Sequence, residues 1–142
     1  MQILLVSGQN NIRSALRLLI KHHHPDWMIQ EAASVKQMLI NLRQSCPEIL
    51  ILDWHLATGS QNGGNAEEHW KTVLNQIQHC CHQPCIIILD TDPETRLSAI
   101  RAGAHAFICK TDPPETILVT IHEWMNTQSS EAKEEPHARK SE

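Results

Sequence analysis

Ile49-Leu50-Ile51-Leu52-Asp53-Trp54-His55 sets four apolar residues directly before a carboxylate. A run this short, bounded by Pro47 and later by Gly59, reads as a strand buried on both faces, as in a parallel sheet. Ligands of open α/β sheets bind just outside the carboxyl ends of the strands, so Asp53 stands where chemistry would be done. A lone Asp after a strand more often caps a turn. Two further strand ends, Asp90 and Lys110, turn the reading toward a site.

Outward from that stretch, strand and helix patterns alternate. Residues 2–6 form a buried first strand, and Ile12, Ala15, Leu16, Leu19 and Ile20 follow at helical spacing, with Asn10 or Asn11 as the expected N-cap. Trp27–Ala32 is a short strand, and Ser34 caps a helix striped by Val35, Met38, Leu39 and Leu42. Beyond Asp53, the segment Ala57–Asn65 holds three of the five glycines and reads as a loop. A helix with Trp70, Val73, Leu74 and Ile77 inward leads to the buried strand 85–89, which ends in Asp90. Asp92 and Pro93 open the next helix, closed by Gly103. Ala106–Cys109 is the fifth strand, ending in Lys110, and Asp112-Pro113-Pro114-Glu115 starts a last helix with Ile117, Leu118, Ile121 and Trp124 inward. Residues 127–142 lack any apolar residue larger than alanine and read as a disordered polar tail. Five strands alternating with five helices predict an α/β fold, a doubly wound parallel sheet over residues 1–126.

The composition is that of one globular domain: 142 residues, 41% hydrophobic, 20% charged, net charge −4. That charge argues against a dedicated nucleic-acid binder. No apolar run approaches membrane-spanning length, and Met1–Val6 lacks the basic region and cleavage site of a signal peptide. A cytoplasmic location is expected. The five cysteines (Cys46, Cys80, Cys81, Cys85, Cys109) are odd in number and do not resemble a secreted disulfide framework. Cys85 and Cys109 border apolar strands, where a thiol packs as a small hydrophobe.

With these elements placed, the chain resembles a response-regulator receiver (CheY-like) domain over residues 1–126. The resemblance rests on Ile49–Leu56 with its Asp53, on Ala102-Gly103-Ala104-His105-Ala106-Phe107, on Lys110-Thr111-Asp112-Pro113-Pro114-Glu115, and on the Asp92-Pro93-Glu94 helix start. It implies a flavodoxin-like sheet of order 2-1-3-4-5 and membership in two-component signalling. Asp53 would accept a phosphoryl group from a histidine kinase or phosphotransfer protein, with Lys110 contacting the carboxylate and then the phosphoryl group. A divalent metal would neutralise the transferring charge. Output would pass to a partner protein, a homodimer through the fourth helix, fifth strand and fifth helix being one route. Arg96, Arg101, His105 and Glu115 lie on that surface. No DNA-binding helix-turn-helix follows residue 126, and such a domain is not an enzyme beyond its own phosphorylation.

The chain departs from the family at two places. Ser7 and Gly8 stand where an acidic metal-binding pair is expected, which leaves Asp53 and the His55 backbone carbonyl to hold Mg2+ weakly. Asp90, followed by Thr91, occupies the position of the phosphate-binding Ser or Thr. Asp90 either returns charge to a cation site or pairs with Lys110; the ion pair is the expectation, because it needs nothing from outside the chain. These departures raise an alternative, a phosphorylation-independent pseudo-receiver that serves as an interaction or dimerisation module.

Other constellations carry less. His79-Cys80-Cys81-His82-Gln83-Pro84-Cys85 holds zinc-type ligands, but adjacent cysteines diverge and no second Cys-x-x-Cys exists, so a helix end with incidental thiols is the expectation. Exposed Cys80 or Cys81 would be the redox-reactive thiols. His22-His23-His24 reads as a solvated helix end, and Trp54 as a possible cover over the site. The loop after the first strand lacks the Ser/Thr-rich cradle of a flavin site, and the loop after Leu56 has no nucleotide motif.

Overall fold

Along each strand of a sheet covered on both sides, alternate residues must enter two different cores. A computed structural model of the protein, described over residues 1–58 and 66–140, has that arrangement. Strands β1 (Gln2–Val6), β2 (Met28–Ala32), β3 (Ile49–Asp53), β4 (Cys85–Asp90) and β5 (Ala106–Cys109) alternate with α1 (Asn10–His23), α2 (Val35–Gln44), α3 (His55–Thr58), α4 (Ala66–Cys80), α5 (Thr95–Ala102) and α6 (Thr116–Lys140). All strand pairs are parallel and the order is β2-β1-β3-β4-β5, as the resemblance implied.

Leu4, Val6, Leu50, Leu52, Ile86, Ile88 and Phe107 face one core with Met38 and Leu42 of α2, Trp70, Val73, Leu74 and Ile77 of α4, and Ala99 of α5. Ile3, Leu5, Ile49, Ile51, Ile87 and Ile108 face the other, with Ile20 of α1 and Ile117, Leu118 and Ile121 of α6. Two helices thus cover one side of the sheet and three the other.

Several expected details change. The expected five helices are joined by a one-turn helix, α3, which takes the start of the expected loop; residues 59–65 of that loop lie outside the described residues. The N-cap of α1 is Gln9, in extended backbone with no side-chain cap, rather than Asn10 or Asn11. Asn10 instead accepts from Arg13 Nη2 at 2.9 Å. Ser34 does cap α2, accepting from the Gln37 N–H at 3.1 Å. Asp92–Glu94 form a turn before α5 begins at Thr95, Asp92 accepting from the Glu94 N–H at 2.9 Å. Gly103 closes α5 at φ 121°, a conformation that L side chains rarely adopt. The last helix runs past Asn126 to Lys140.

Two groupings were not expected. Cys81 is buried and disulfide-bonded to Cys46 rather than an exposed thiol; 35 residues separate them, but the ends of α2 and α4 meet on one side of the sheet. Cys80 is an exposed free thiol and Cys85 a buried one. The His79–Cys85 run therefore does not converge on one ligand set, and no group of three or more His, Cys, Asp or Glu suited to a metal occurs among the described residues. His24, at the end of α1, stacks on Trp27 and meets His122 of α6, Nε2 to Nε2 at 2.9 Å. Burial, then the neighbouring His122 and His23, lower its pKa. Among the described residues no helix is long and apolar enough to cross a membrane.

Candidate functional site

The strand register assembles the site. Val6 pairs with Leu52, Asp53 with Leu89, and Asp90 with Cys109. Ser7, Asp53, Asp90 and Lys110 therefore come out along one edge, at the carboxyl ends of four adjacent strands. The edge includes the β1–β3 boundary, where the winding of the sheet reverses and ligands of this architecture bind.

Asp53 is only 2% exposed, and its carboxylate is held by groups of this chain. Oδ2 accepts from Ser7 Oγ at 3.0 Å and from Lys110 Nζ at 2.8 Å. Oδ1 accepts from the His55 N–H at 3.1 Å. The Ser7 hydroxyl is fixed in turn by accepting from the Gln9 N–H at 3.1 Å, and Lys110 also reaches Gln9 Oε1 at 3.3 Å. Arg13 donates to the Ser7 carbonyl at 2.5 Å and is oriented by Glu31, 3.0 Å from its Nε. The β1 end thus presents a hydroxyl and a guanidinium where the family resemblance expects two carboxylates.

Asp90, 3% exposed, has a separate cradle. The expected pair with Lys110 does not form: Lys110 is committed to Asp53, and Asp90 turns toward its own loop. Its Oδ1 accepts from the Thr91 N–H at 2.8 Å and lies 2.9 Å from His55 Nε2; its Oδ2 accepts from Thr95 Oγ1 at 2.5 Å. His55 touches both carboxylates, Asp53 through its backbone N–H and Asp90 through its ring. A buried carboxylate is costly unless paired and hydrogen-bonded. Here both are, and no buried side-chain nitrogen or oxygen among the described residues lacks a partner.

Magnesium fits this donor set poorly. A hard cation wants several anionic or carbonyl oxygens, whereas Asp53 already accepts from three donors, Asp90 faces His55 and Thr95, and the Ser7 carbonyl is taken by Arg13. Trp54 does not cover the site. It packs into the core on Trp70, ring centroids 5.8 Å apart, and its carbonyl accepts from Trp70 Nε1 at 3.1 Å.

Of the residues singled out in the sequence, Asp53 and Lys110 meet directly, and Asp90 lies beside them. Thr91 contributes its backbone, its side chain being exposed. Thr95, Gln9, Arg13 and the His55 ring were missed. Thr95 is the first residue of α5, five residues after Asp90, and Arg13 lies one turn into α1, so nearness in sequence to the strand ends was the available signal. On the surface formed by α5, β5 and α6, Arg96 lies over the Phe107 ring at 5.2 Å and Arg101 is 3.6 Å from Glu67, with Leu97, Ile100 and Val119 exposed.

No protein-family model matches the chain, and no curated protein sequence does. Solved structures do. A response regulator receiver protein from Pseudoalteromonas atlantica is similar with TM-score 0.68 at 24% identity, covering 90% of this chain and 99% of that one. The chemotaxis response regulator CheY4 of Vibrio cholerae gives 0.65 at 21%, covering 86% and 96%. A CheY-like receiver domain protein from Methanospirillum hungatei gives 0.70 at 18%, covering 92% and 97%. At these identities the likeness establishes the fold, which this chain shares with response-regulator receiver domains across nearly its whole length.

Proposed function

We propose that this chain is a receiver-type signalling domain that acts through protein contacts, with its Asp53 pocket held in one state by the chain's own donors. It is a non-catalytic, phosphorylation-independent module, whose output goes to a partner protein or a second copy through the α5–β5–α6 surface. The observation that carries this reading is that the chain's own donors engage both oxygens of Asp53: Ser7 and Lys110 on one, the His55 N–H on the other. Asp90 reinforces it, because a buried carboxylate at the phosphate-binding position repels an incoming phosphoryl group. A second reading, Asp53 as phosphoryl acceptor from a histidine kinase or phosphotransfer protein, draws support from the 2.8 Å contact of Lys110 with Asp53. That contact is the one the family chemistry requires.

The two readings separate on ligand response. The Trp54 and Trp70 indole N–H signals report on the residue next to Asp53, and are followed while Mg2+ and then beryllofluoride, a phosphoryl mimic, are added. The locked pocket gives no saturable shift with either. A saturable Mg2+-dependent shift, lost in Asp53→Asn, replaces this reading with the acceptor reading.

A further inference from the structure

Cys46, Cys80 and Cys81 lie at the amino-terminal edge of the sheet, at the opposite end of α4 from the Asp53 rim. Cys46 follows α2 and Cys81 follows α4, and their sulphurs are bonded with Cα atoms 5.5 Å apart. The two ends of this bridge differ in access: Cys81 is 4% exposed, while Cys46 is exposed. Cys80, exposed and with a free thiol, is adjacent in sequence to Cys81, and its carbonyl oxygen lies 3.2 Å from Cys46 Sγ. A bridge with one end on an exposed residue, and a free thiol on the residue next to its buried end, has the parts of an exchange site, since exchange proceeds by thiolate attack on an accessible sulphur.

We propose that Cys46–Cys81 is a reversible thiol–disulfide site, opened by small thiols of the glutathione class and closed by their disulfides, with Cys80 as the neighbouring exchange thiol. In opening, the small thiolate attacks Cys46 Sγ. The Cys46–Cys81 bond breaks, Cys81 leaves as a thiolate and takes a proton from water, and Cys46 carries a mixed disulfide. A second small thiolate attacks the small-molecule sulphur of that mixed disulfide, releasing Cys46 as a thiolate that is then protonated. Two small thiols become one disulfide, and two electrons and two protons pass to Cys46 and Cys81. Closing is the reverse. On that path the Cys80 thiolate can take Cys46 from the mixed disulfide, expelling the small thiol, and then hand Cys46 to Cys81.

The remaining thiols do not compete. Cys85 is buried, and burial pushes its pKa up to about 12, so it stays protonated. Cys109 is buried with its sulphur 3.3 Å from the Thr91 carbonyl. The bridge is anchored at the end of α4, and α4 carries Trp70, whose Nε1 holds the carbonyl of Trp54 beside Asp53.

The test uses the full chain equilibrated across a series of reduced and oxidised glutathione, quenched, denatured and alkylated, with intact mass and peptide mapping. The expected result is three alkylated cysteines (Cys80, Cys85, Cys109) with a Cys46–Cys81 linked peptide at the oxidised end. Five alkylated cysteines are expected at the reduced end, with recovery in both directions. Cys80→Ser keeps the Cys46–Cys81 link but closes several-fold more slowly; closing at the wild-type rate overturns the role given to Cys80. Five free thiols throughout, a glutathione adduct that never resolves into the link, or a link that reduced glutathione leaves intact would each overturn the site. The wild-type readout is made on denatured protein, so it does not depend on any variant folding.

Discussion

The two rims of this sheet are held together by opposite means. At the carboxyl rim, two buried carboxylates are satisfied by hydrogen bonds and by the Lys110 cation: Lys110, Ser7 and the His55 N–H for Asp53, and Thr95, Thr91 and the His55 ring for Asp90. At the amino rim the turns after α2 and α4 are joined by a covalent bond, Cys46–Cys81, over apolar packing. A polar rim is only as stable as its pairing, because each removed partner strands a buried group. A cross-linked rim is only as stable as its redox environment. The difference lies in what would loosen each rim: loss of a polar partner at one, reduction of a covalent bond at the other.

The sharpest way to break this contrast is at Lys110. Lys110→Met leaves Asp53 buried without its cation and is expected to destabilise the fold by about 3–5 kcal/mol, read from the urea midpoint. Asp53→Asn/Lys110→Met recovers most of the loss; a double variant no more stable than the single one would show that Lys110 acts through packing. Next in size is the cross-link. Closing a loop between residues 35 apart stabilises by roughly 3–4 kcal/mol in the chain-entropy model, so Cys46→Ser should lose about that much. Reductant should then lower the urea midpoint of the wild type and leave the variant unmoved.

Within the carboxyl rim, Thr95→Val should cost about 1–3 kcal/mol by removing the hydroxyl from buried Asp90. His55→Ala should cost less than about 1 kcal/mol, since the His55 side chain is 58% exposed. The reverse order would mean that the His55–Asp90 pair, rather than the threonine, holds Asp90. The smallest effect is at the amino rim. The His105 ring accepts from the Ile86 N–H at 3.0 Å, and its partial withdrawal from water lowers its pKa. The unfolded chain then binds the proton more readily, so this contribution is intact above the unfolded value of about 6.5 and is lost as pH falls from there through the folded value. Urea midpoints at about pH 7.5 and about pH 5.5 should differ less in His105→Gln than in the wild type.

The fold was legible because its strands are continuous apolar runs bounded by Pro, Gly and Asp, and a doubly covered parallel sheet needs such runs. The strand-end residues of the site were legible for the same reason, since Asp53, Asp90 and Lys110 close those runs. Their pairing was not. Asp90 and Lys110 were expected to meet, but side-chain direction at the β4 end is set by Thr95 and the Thr91 N–H, which a strand pattern does not encode. Cys46 and Cys81 were hidden for another reason: their contact depends on two helix ends converging in space, and nothing in the spacing of 35 residues marks it.

The central claim, that Asp53 is locked by its own chain, is tested most directly by intact mass after incubation with acetyl phosphate and Mg2+. The comparison includes Ser7→Asp/Gly8→Asp, which restores an acidic pair. At Gly8 the first atom of a side chain is accommodated, since an added Cβ meets only ordinary contacts, at 3.8 Å from the Ala33 oxygen and 4.0 Å from Leu56 Cδ2. The expected result is no phosphoryl adduct on the wild type. A Mg2+-dependent gain of one phosphoryl group on the wild type, absent in Asp53→Asn, would contradict it.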